Sequence, residues 1–338
     1  MYNILRNIYY KFYTLGNISK VVRFININLQ IFYYQTYFKK LLKSKKKTYT
    51  YCYDLSKNSI GYGDFYSAVF FLRVLCKYNT INFYFFTNKI RKDTKHRYTL
   101  KEIRNRLQEL AELLNFLCAN KICIKQIYSQ KQIEKIKDNK NVIFKELIIN
   151  DRPIYQISNQ LLNKNFNFIN KKFFYLDMKV KKIIKGRYIT LGIRLNYKNE
   201  IDRNINHKEL ILMVKYIRQI YKNDRIVVIS KNKNKKILNV FKKLDKNFLF
   251  AMPKYAKNYV DCGKIILNSK HYFQYKGTGL FQFAEFSKIK FNVFYNIPEL
   301  IPWRSPIRSD FYFYDKKKGL KNIWQLKKQK IFFINSQL

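Results

Sequence analysis

Residues 48–88, "TYTYCYDLSKNSIGYGDFYSAVFFLRVLCKYNTINFYFFTN", hold the reading on which the fold turns. "TYTYCYDL" is short, aromatic and β-branched, which suits a strand. "GYGDFYSAVFFLRVLCKY" continues as a turn and a helix, and "TINFYFFTN" is a second strand. "LKEIRNRLQELAELLNFLC", residues 100–118, then repeats apolar side chains at Ile103, Leu107, Leu110, Leu114 and Leu117, the stripe of an amphipathic helix. "KICIKQIY", residues 121–128, makes the next strand. Strand and helix alternating in this order predict a parallel sheet with helices on its faces.

The alternation lapses between about 129 and 186, where Lys and Asn dominate and the boundary between two units is expected. It then restarts. "RYITLGIRL" (187–195) reads as a strand ending in Arg194, "HKELILMVKYIRQIYKN" (207–223) as a helix and "RIVVIS" (225–230) as a strand. "KKILNVFKKLD" (235–245) is a helix, "NFLFAMP" (247–253) a strand, and "VDCGKIILNS" (260–269) a turn or short helix leading into a strand. "HYFQYKGTGLFQFAEFSK" (271–288) places Gly-Thr-Gly between an apolar strand-like stretch and an amphipathic helix-like one, and "FNVFYN" (291–296) closes the series. The expected division is a basic, aromatic N-terminal segment (1–47), a Rossmann-like domain (48–150), a connector (151–186), a second Rossmann-like domain (187–297) and a basic C-terminal segment (298–338). No close sequence repeat links the two domains.

A chain of 338 residues is long enough for two cores, and a hydrophobic content of 47% excludes a disordered polymer. The formal net charge of +47 would ordinarily point to nucleic acid or an anionic membrane. The excess is Lys, however, 53 against 15 Arg within the 68 basic residues, in a chain also rich in Asn, Ile, Tyr and Phe, as AT-rich coding produces. Arg is the residue suited to bidentate phosphate and base recognition, so a Lys excess says less about nucleic-acid readout than its size. Cys52, Cys76, Cys118, Cys123 and Cys262 are scattered, with the spacing of neither a disulfide framework nor a zinc site, which fits a reducing interior. His96, His207 and His271 show no metal-ligand spacing, so no metal and no cofactor are expected. No stretch reaches the length of a membrane span, since "FNVFYNIPELIPW" is broken by proline. The N-terminal segment suits either a bilayer surface or packing on the body, and lacks the cleavage site of a signal peptide. A cytoplasmic protein, peripheral on the inner membrane, is the expected placement.

Candidate chemistry gathers in the second domain. Ligands of open parallel sheets collect outside the carboxyl ends of the strands. Arg194 stands there to grip an anion, with Arg203 and Asn204 in the loop that follows. The other reading of Arg194 is a cap on a carbonyl, or a pair with Glu200 or Asp202. Gly277 and Gly279 permit a sharp turn and close approach to a ligand, Thr278 suits a helix N-cap, and the following helix offers free N–H groups to phosphate. Lys276 precedes this turn, and Glu285, within the helix, suits ribose hydroxyls. The alternative is a tight strand-to-helix turn that binds nothing.

"YITLGIRLNYKNEIDRN", "RIVVIS" and "ILNSKHYFQYKGTGLFQFAEFSK" together resemble the carboxyl-terminal half of GT-B-type glycosyltransferases, particularly the bacterial surface-polysaccharide and fucosyltransferase-like groups. "YDLSKNSIGYGDFYSAVFFL" is similar to the first strand, loop and helix of their acceptor half. The resemblance implies an α/β fold of two Rossmann-like domains whose parallel sheets face a central cleft. It implies a nucleotide-diphosphate sugar as co-substrate and a glycan or lipid-linked acceptor. Arg194 would meet the donor β-phosphate, Gly277, Thr278 and Gly279 would line the phosphates, and Glu285 would take the ribose. Fucosyltransferase-like members often follow the Arg with another Arg and an acidic residue, whereas Leu195 and Asn196 follow here. Arg side chains and a helix N-terminus neutralise a departing diphosphate without metal. In the loop Gly61-Tyr62-Gly63-Asp64, Asp64 is the expected general base on the acceptor side, with a helix N-cap as its other reading.

Two readings compete with a transferase. A structural RNA-binding protein of an AT-rich genome would carry Arg-rich patches and basic tails, whereas here the charge is spread as Lys across ordinary amphipathic helices. A dinucleotide-binding enzyme would place GxGxxG after its first strand, and none is present.

Overall fold

A computed structural model of the chain describes residues 47–119, 121–138, 142, 180–195, 204–230, 235–244, 246–275, 279–285 and 287–294. The N-terminal and C-terminal segments and most of the expected connector lie outside these residues. The first unit runs β1 (Thr48–Asp54), α1 (Tyr62–Cys76), β2 (Thr80–Phe86), α2 (Lys92–Arg97), α3 (Leu100–Leu117), β3 (Ile122–Ile127) and α4 (Gln130–Lys137). Its strands pair in parallel in the order β1-β2-β3, and Val142 adds a parallel bridge to Thr50 on the remaining edge of β1. The second unit runs β4 (Tyr188–Gly192), α5 (His207–Ile220), β5 (Arg225–Ile229), α6 (Lys235–Leu244), β6 (Phe248–Phe250), α7 (Tyr259–Leu267), β7 (His271–Tyr275), α8 (Phe281–Glu285) and β8 (Lys290–Phe294). All five strands are parallel, in the order β6-β5-β4-β7-β8. The protein is therefore α/β, with two parallel sheets.

Local chemistry explains the longest helices. Thr99 and Glu102 close a capping box at the start of α3, and all five apolar residues expected on its inner stripe are buried, joined by Leu113. Asn206 and Glu209 do the same for α5. The short helix expected within 260–269 is α7, which Asn258 caps by accepting the Asp261 N–H at 2.8 Å, and it leads into β7. Three expectations change. Two helices, α2 and α4, were not foreseen. Strand β4 stops at Gly192, and Arg194 lies two residues beyond, where its carbonyl accepts the Ile205 N–H at 3.1 Å. Finally, α8 spans five residues, with Glu285 as its last.

Side chains alternate along the strands into separate cores. On the second sheet, Ile189, Leu191, Ile226, Val228, Phe273 and Tyr275 pack with Leu210, Met213 and Ile217 of α5. Tyr188, Val227, Ile229, Tyr272, Phe291 and Val293 face the other way, toward α7 and α8. There the largest buried cluster continues without interruption into α1, α3 and the Tyr51, Tyr53, Phe83 and Phe85 face of the first sheet. The order of layers is first sheet, α1 and α3, α7 and α8, second sheet. The two units meet through helices.

Candidate functional site at the meeting of the two sheets

In the second sheet the chain starts at β4, places β5 on one side and later returns to add β7 on the other. The connections leaving β4 and β7 diverge, so the crevice at their carboxyl ends is a topological switch point. The pairing of Gly192 with Gln274 sets the carboxyl ends of β4 and β7 side by side, with Arg194 two residues beyond the first. Arg194 is half-buried there, and its carbonyl bond to Ile205 brings Asn204 back beside it. Beneath the crevice, Thr190 and Gln274 are fully buried, and Tyr272 Oη donates to Gln274 Oε1. A Cβ on Gly192 would sit 2.4 Å from that Tyr272 oxygen, so glycine makes room for the buried polar cluster.

The first sheet has the same arrangement. Its starting strand, β1, lies between β2 and the Val142 bridge. The loop leaving β1 is tightly held. Asp54 Oδ1 accepts from Ser56 N and Oγ at 3.0 and 2.6 Å, Tyr53 Oη donates to Ser59 O at 2.6 Å, and Gly61 N donates to Ser59 Oγ at 2.9 Å. Lys137 Nζ stands 3.8 Å from Asp54 Oδ2, and Arg91 Nη1 donates to Lys57 O at 3.2 Å. The loop delivers the chain to Tyr62, the first residue of a 15-residue helix.

These two carboxyl-edge loops touch. A Cβ on Gly279 would lie 2.6 Å from Gly63 N and 3.0 Å from Gly63 Cα, and one on Gly63 would lie 3.2 Å from Gly279 Cα. Gln282 Nε2 donates to Gly63 O at 2.8 Å, and Tyr259 Oη donates to Gly279 O at 2.6 Å. The Tyr259 ring stacks on Tyr62 with centroids 4.0 Å apart and planes 11° from parallel. Arg106 lies 3.9 Å from the Tyr62 centroid, while Tyr62 Oη donates to Glu109. Two flat groups cannot share one ring face at that range, so Tyr62 is sandwiched between Arg106 and Tyr259. Burial raises the pKa of Tyr259 well above the ordinary phenol range, aided by the neighbouring Tyr66, Tyr272 and Cys262, and its hydroxyl stays a donor. Nearby, Asn258 Nδ2 donates to Glu112 Oε2 at 2.9 Å, and Phe283 fills the space between Tyr66, Phe116 and Tyr259.

The structure thus brings Gly63 of the first unit together with Gly279 of the second, with Gly61 held by Ser59 in the loop before it, and places Arg194 and Asn204 at the second sheet's switch point. Asp64 is the third residue of α1, inside the helix, and so does not occupy its N-cap position. Arg203, Lys276, Gly277 and Thr278 lie outside the described residues. Two physical assignments differ from the sequence reading. The close backbone approach that Gly279 allows is made to Gly63 across the seam. The helix after the turn is too short to carry much of a macrodipole, and its Gln282 and Phe283 N–H groups bond to Gly279 O at 3.3 Å and Leu280 O at 3.2 Å. Two longer helices begin at this seam, α1 at Tyr62 and α7 at Tyr259. Sequence reasoning overlooked Tyr62, Arg106, Tyr259 and Gln282. Among the described residues, no three His, Cys, Asp or Glu side chains are grouped to hold a metal, and no helix is long and apolar enough to cross a membrane.

No protein-family model and no curated protein matches the chain. Among solved structures, a glycosyl transferase family 9 protein of Veillonella parvula is similar at a TM-score of 0.41 and 10% identity, over 79% of this chain and 82% of that one. The E. coli heptosyltransferase WaaC with ADP gives a TM-score of 0.40 at 9% identity, over 86% and 93% of the two chains. E. coli ADP-heptose LPS heptosyltransferase II gives 0.40 at 9%, over 79% and 89%.

Proposed function

We propose that the protein is a metal-independent glycosyltransferase of GT-B architecture. It moves a sugar from a nucleotide-diphosphate donor to a surface-glycan or lipid-linked acceptor. The observation that carries this reading is the meeting of two switch-point loops, one from each parallel sheet, at the Gly63–Gly279 contact. Each such crevice favours a ligand, and their convergence favours two ligands side by side.

In this reading the diphosphate lies in the second sheet's crevice. The Arg194 guanidinium and the backbone of the 276–279 turn neutralise charge as it leaves, with Arg203, Asn204 and Lys276 around them. The N-terminus of α1 adds its dipole from the opposite side. Glu285 takes the ribose hydroxyls. Asp64, in the first turn of α1, removes the acceptor proton as the sugar transfers. The finer placement in a fucosyltransferase-like group rests on sequence resemblance, and Leu195 is buried in the α5 core, so this position packs and does not bind an anion. Attachment to an anionic membrane surface through the basic N-terminal segment completes the proposal.

The test is thermal stability against ADP, GDP, UDP and CDP, with Arg194→Ala as the control. ADP is included because it is the ligand named with the E. coli heptosyltransferase. A ligand that binds only the native state at a hundredfold excess over its Kd should raise Tm by about 3–8 °C. A shift selective for one base and lost in Arg194→Ala is expected. No shift with any of the four, beside salt-sensitive RNA binding that Arg194→Ala leaves intact, would overturn the reading in favour of an RNA-binding protein.

A further inference from the structure

We propose that the Arg106–Tyr62–Tyr259 stack is a positioning device that sets the distance between the two loops of the site, with Tyr259 as its central member. The inference rests on the transferase reading above and adds residues which that reading does not use.

Tyr259 is the first residue of α7, a helix of the second unit. Its side chain has two partners in different units. The hydroxyl holds Gly279 O at 2.6 Å, fixing the end of the turn that follows β7. The ring lies flat on Tyr62 at 4.0 Å, and Tyr62 begins the helix that carries Asp64 two residues later. Arg106 closes the opposite face of Tyr62 at 3.9 Å, and Glu109, 4.0 Å from Arg106, takes the Tyr62 hydroxyl. Neither Tyr62 nor Tyr259 can therefore slide without breaking a stack and a hydrogen bond. Stacked rings and a cation over a ring face favour one geometry, unlike a purely apolar contact. Gln282, reaching Gly63 O at 2.8 Å, supplies a second cross-link of the same span. A positioning role follows: the stack holds donor turn and acceptor helix in register, and a shift of the order of 1 Å there is costly to transfer.

The test compares Tyr259→Phe, which keeps the ring and removes the hydroxyl, with Tyr259→Leu, which removes both, in the full chain. Tyr259→Phe should weaken binding of the preferred nucleoside diphosphate by about 3–10-fold, the scale of one hydrogen bond, while Tm without ligand stays within about 3 °C. A merely structural residue would lower Tm and leave affinity alone. Tyr259→Leu should weaken binding further. The second readout needs no ligand: Tyr259→Phe, which keeps the ring on Tyr62, should quicken amide exchange in a peptide covering 279–283, and in Tyr259→Leu exchange at 62–66 and 279–283 should quicken together, while α5 is unchanged. Unchanged exchange at either peptide in Tyr259→Leu, or unchanged affinity, overturns the proposal. If the unsubstituted protein binds no nucleoside diphosphate, the transferase reading fails by itself, and the exchange result alone decides the stack.

Discussion

The first sheet is sealed differently on its two faces. Toward the seam, Tyr51, Tyr53, Phe83 and Phe85 lie under α1 and α3, and the same buried cluster runs on through Tyr259 and Phe283 to the second sheet. On the opposite face, among the described residues, Cys52, Phe86 and Val142 are covered by Ile133 of the 8-residue helix α4, with Tyr84, Ile127 and Ile136 only partly buried. One face is completed by another folding unit, the other by two turns of helix. The lesson is that the two units share a core, so what holds the fold together also holds the proposed site together.

The largest expected effect sharpens this difference directly. Phe283→Ala removes a ring that meets side chains from α1, α3 and α7, and should cost about 3–5 kcal/mol in urea unfolding. Ile133→Ala should cost about 2 kcal/mol, the low end for such a truncation, because its half-exposed surroundings can settle into the space. Equal losses would break the comparison.

Next come the two touching glycines. Gly279→Ala forces a Cβ to 2.6 Å from Gly63 backbone nitrogen, and backbone cannot rotate aside, so about 1–3 kcal/mol should be lost. Gly63→Ala meets its nearest atom at 3.2 Å and gains about 1 kcal/mol of helix propensity within α1, leaving a small net change. A larger loss at Gly63 than at Gly279 would show that the seam is packed otherwise.

The smallest effect is one on which the two faces should agree. Burial pushes the thiols of Cys262 at the seam and Cys52 on the opposite face up to about 12, from the ordinary thiol value of 9.0. Both therefore stay protonated in the folded protein at a pH where unfolded thiols ionise. Their contribution is fully present below pH 9.0 and is lost as pH rises toward about 12, so stability should fall by about 1 kcal/mol per thiol between pH 9 and 10. Urea titrations at pH 8, 9 and 10 check the slope. Native-state alkylation at pH 8 should reach exposed Cys123 and spare Cys52, Cys76, Cys118 and Cys262.

The elements themselves were largely legible because their signals are local. The stripe of α3 and the short aromatic strands follow from spacing and residue type. Helix α4, "QKQIEKIK", was not, since it offers two apolar residues and is held by contacts with Cys52 and Phe86, far back in the chain. The length of α8 was also hidden, because Phe283 is packed against Tyr66 and Phe116 of the other unit, contacts that no local spacing announces. The site was legible as two separate loops and illegible as one. Tyr62 and Tyr259 stand almost 200 positions apart, and nothing local pairs them. One signal was present: four of the nine glycines fall in the two pairs 61/63 and 277/279. In a chain so poor in glycine, two such pairs mark backbone that must come close to something. For Gly63 and Gly279 that something is each other.

The central claim is that these two loops form a single ligand site. Amide exchange of the unsubstituted protein, with and without the nucleoside diphosphate that raises its Tm most, tests it most directly. The account predicts that peptides covering 59–66 and 275–285 are protected together, with 192–206, while α4 and β3 are unaffected. Protection confined to one unit, or spread over the Lys-rich surface and abolished by salt, would contradict it.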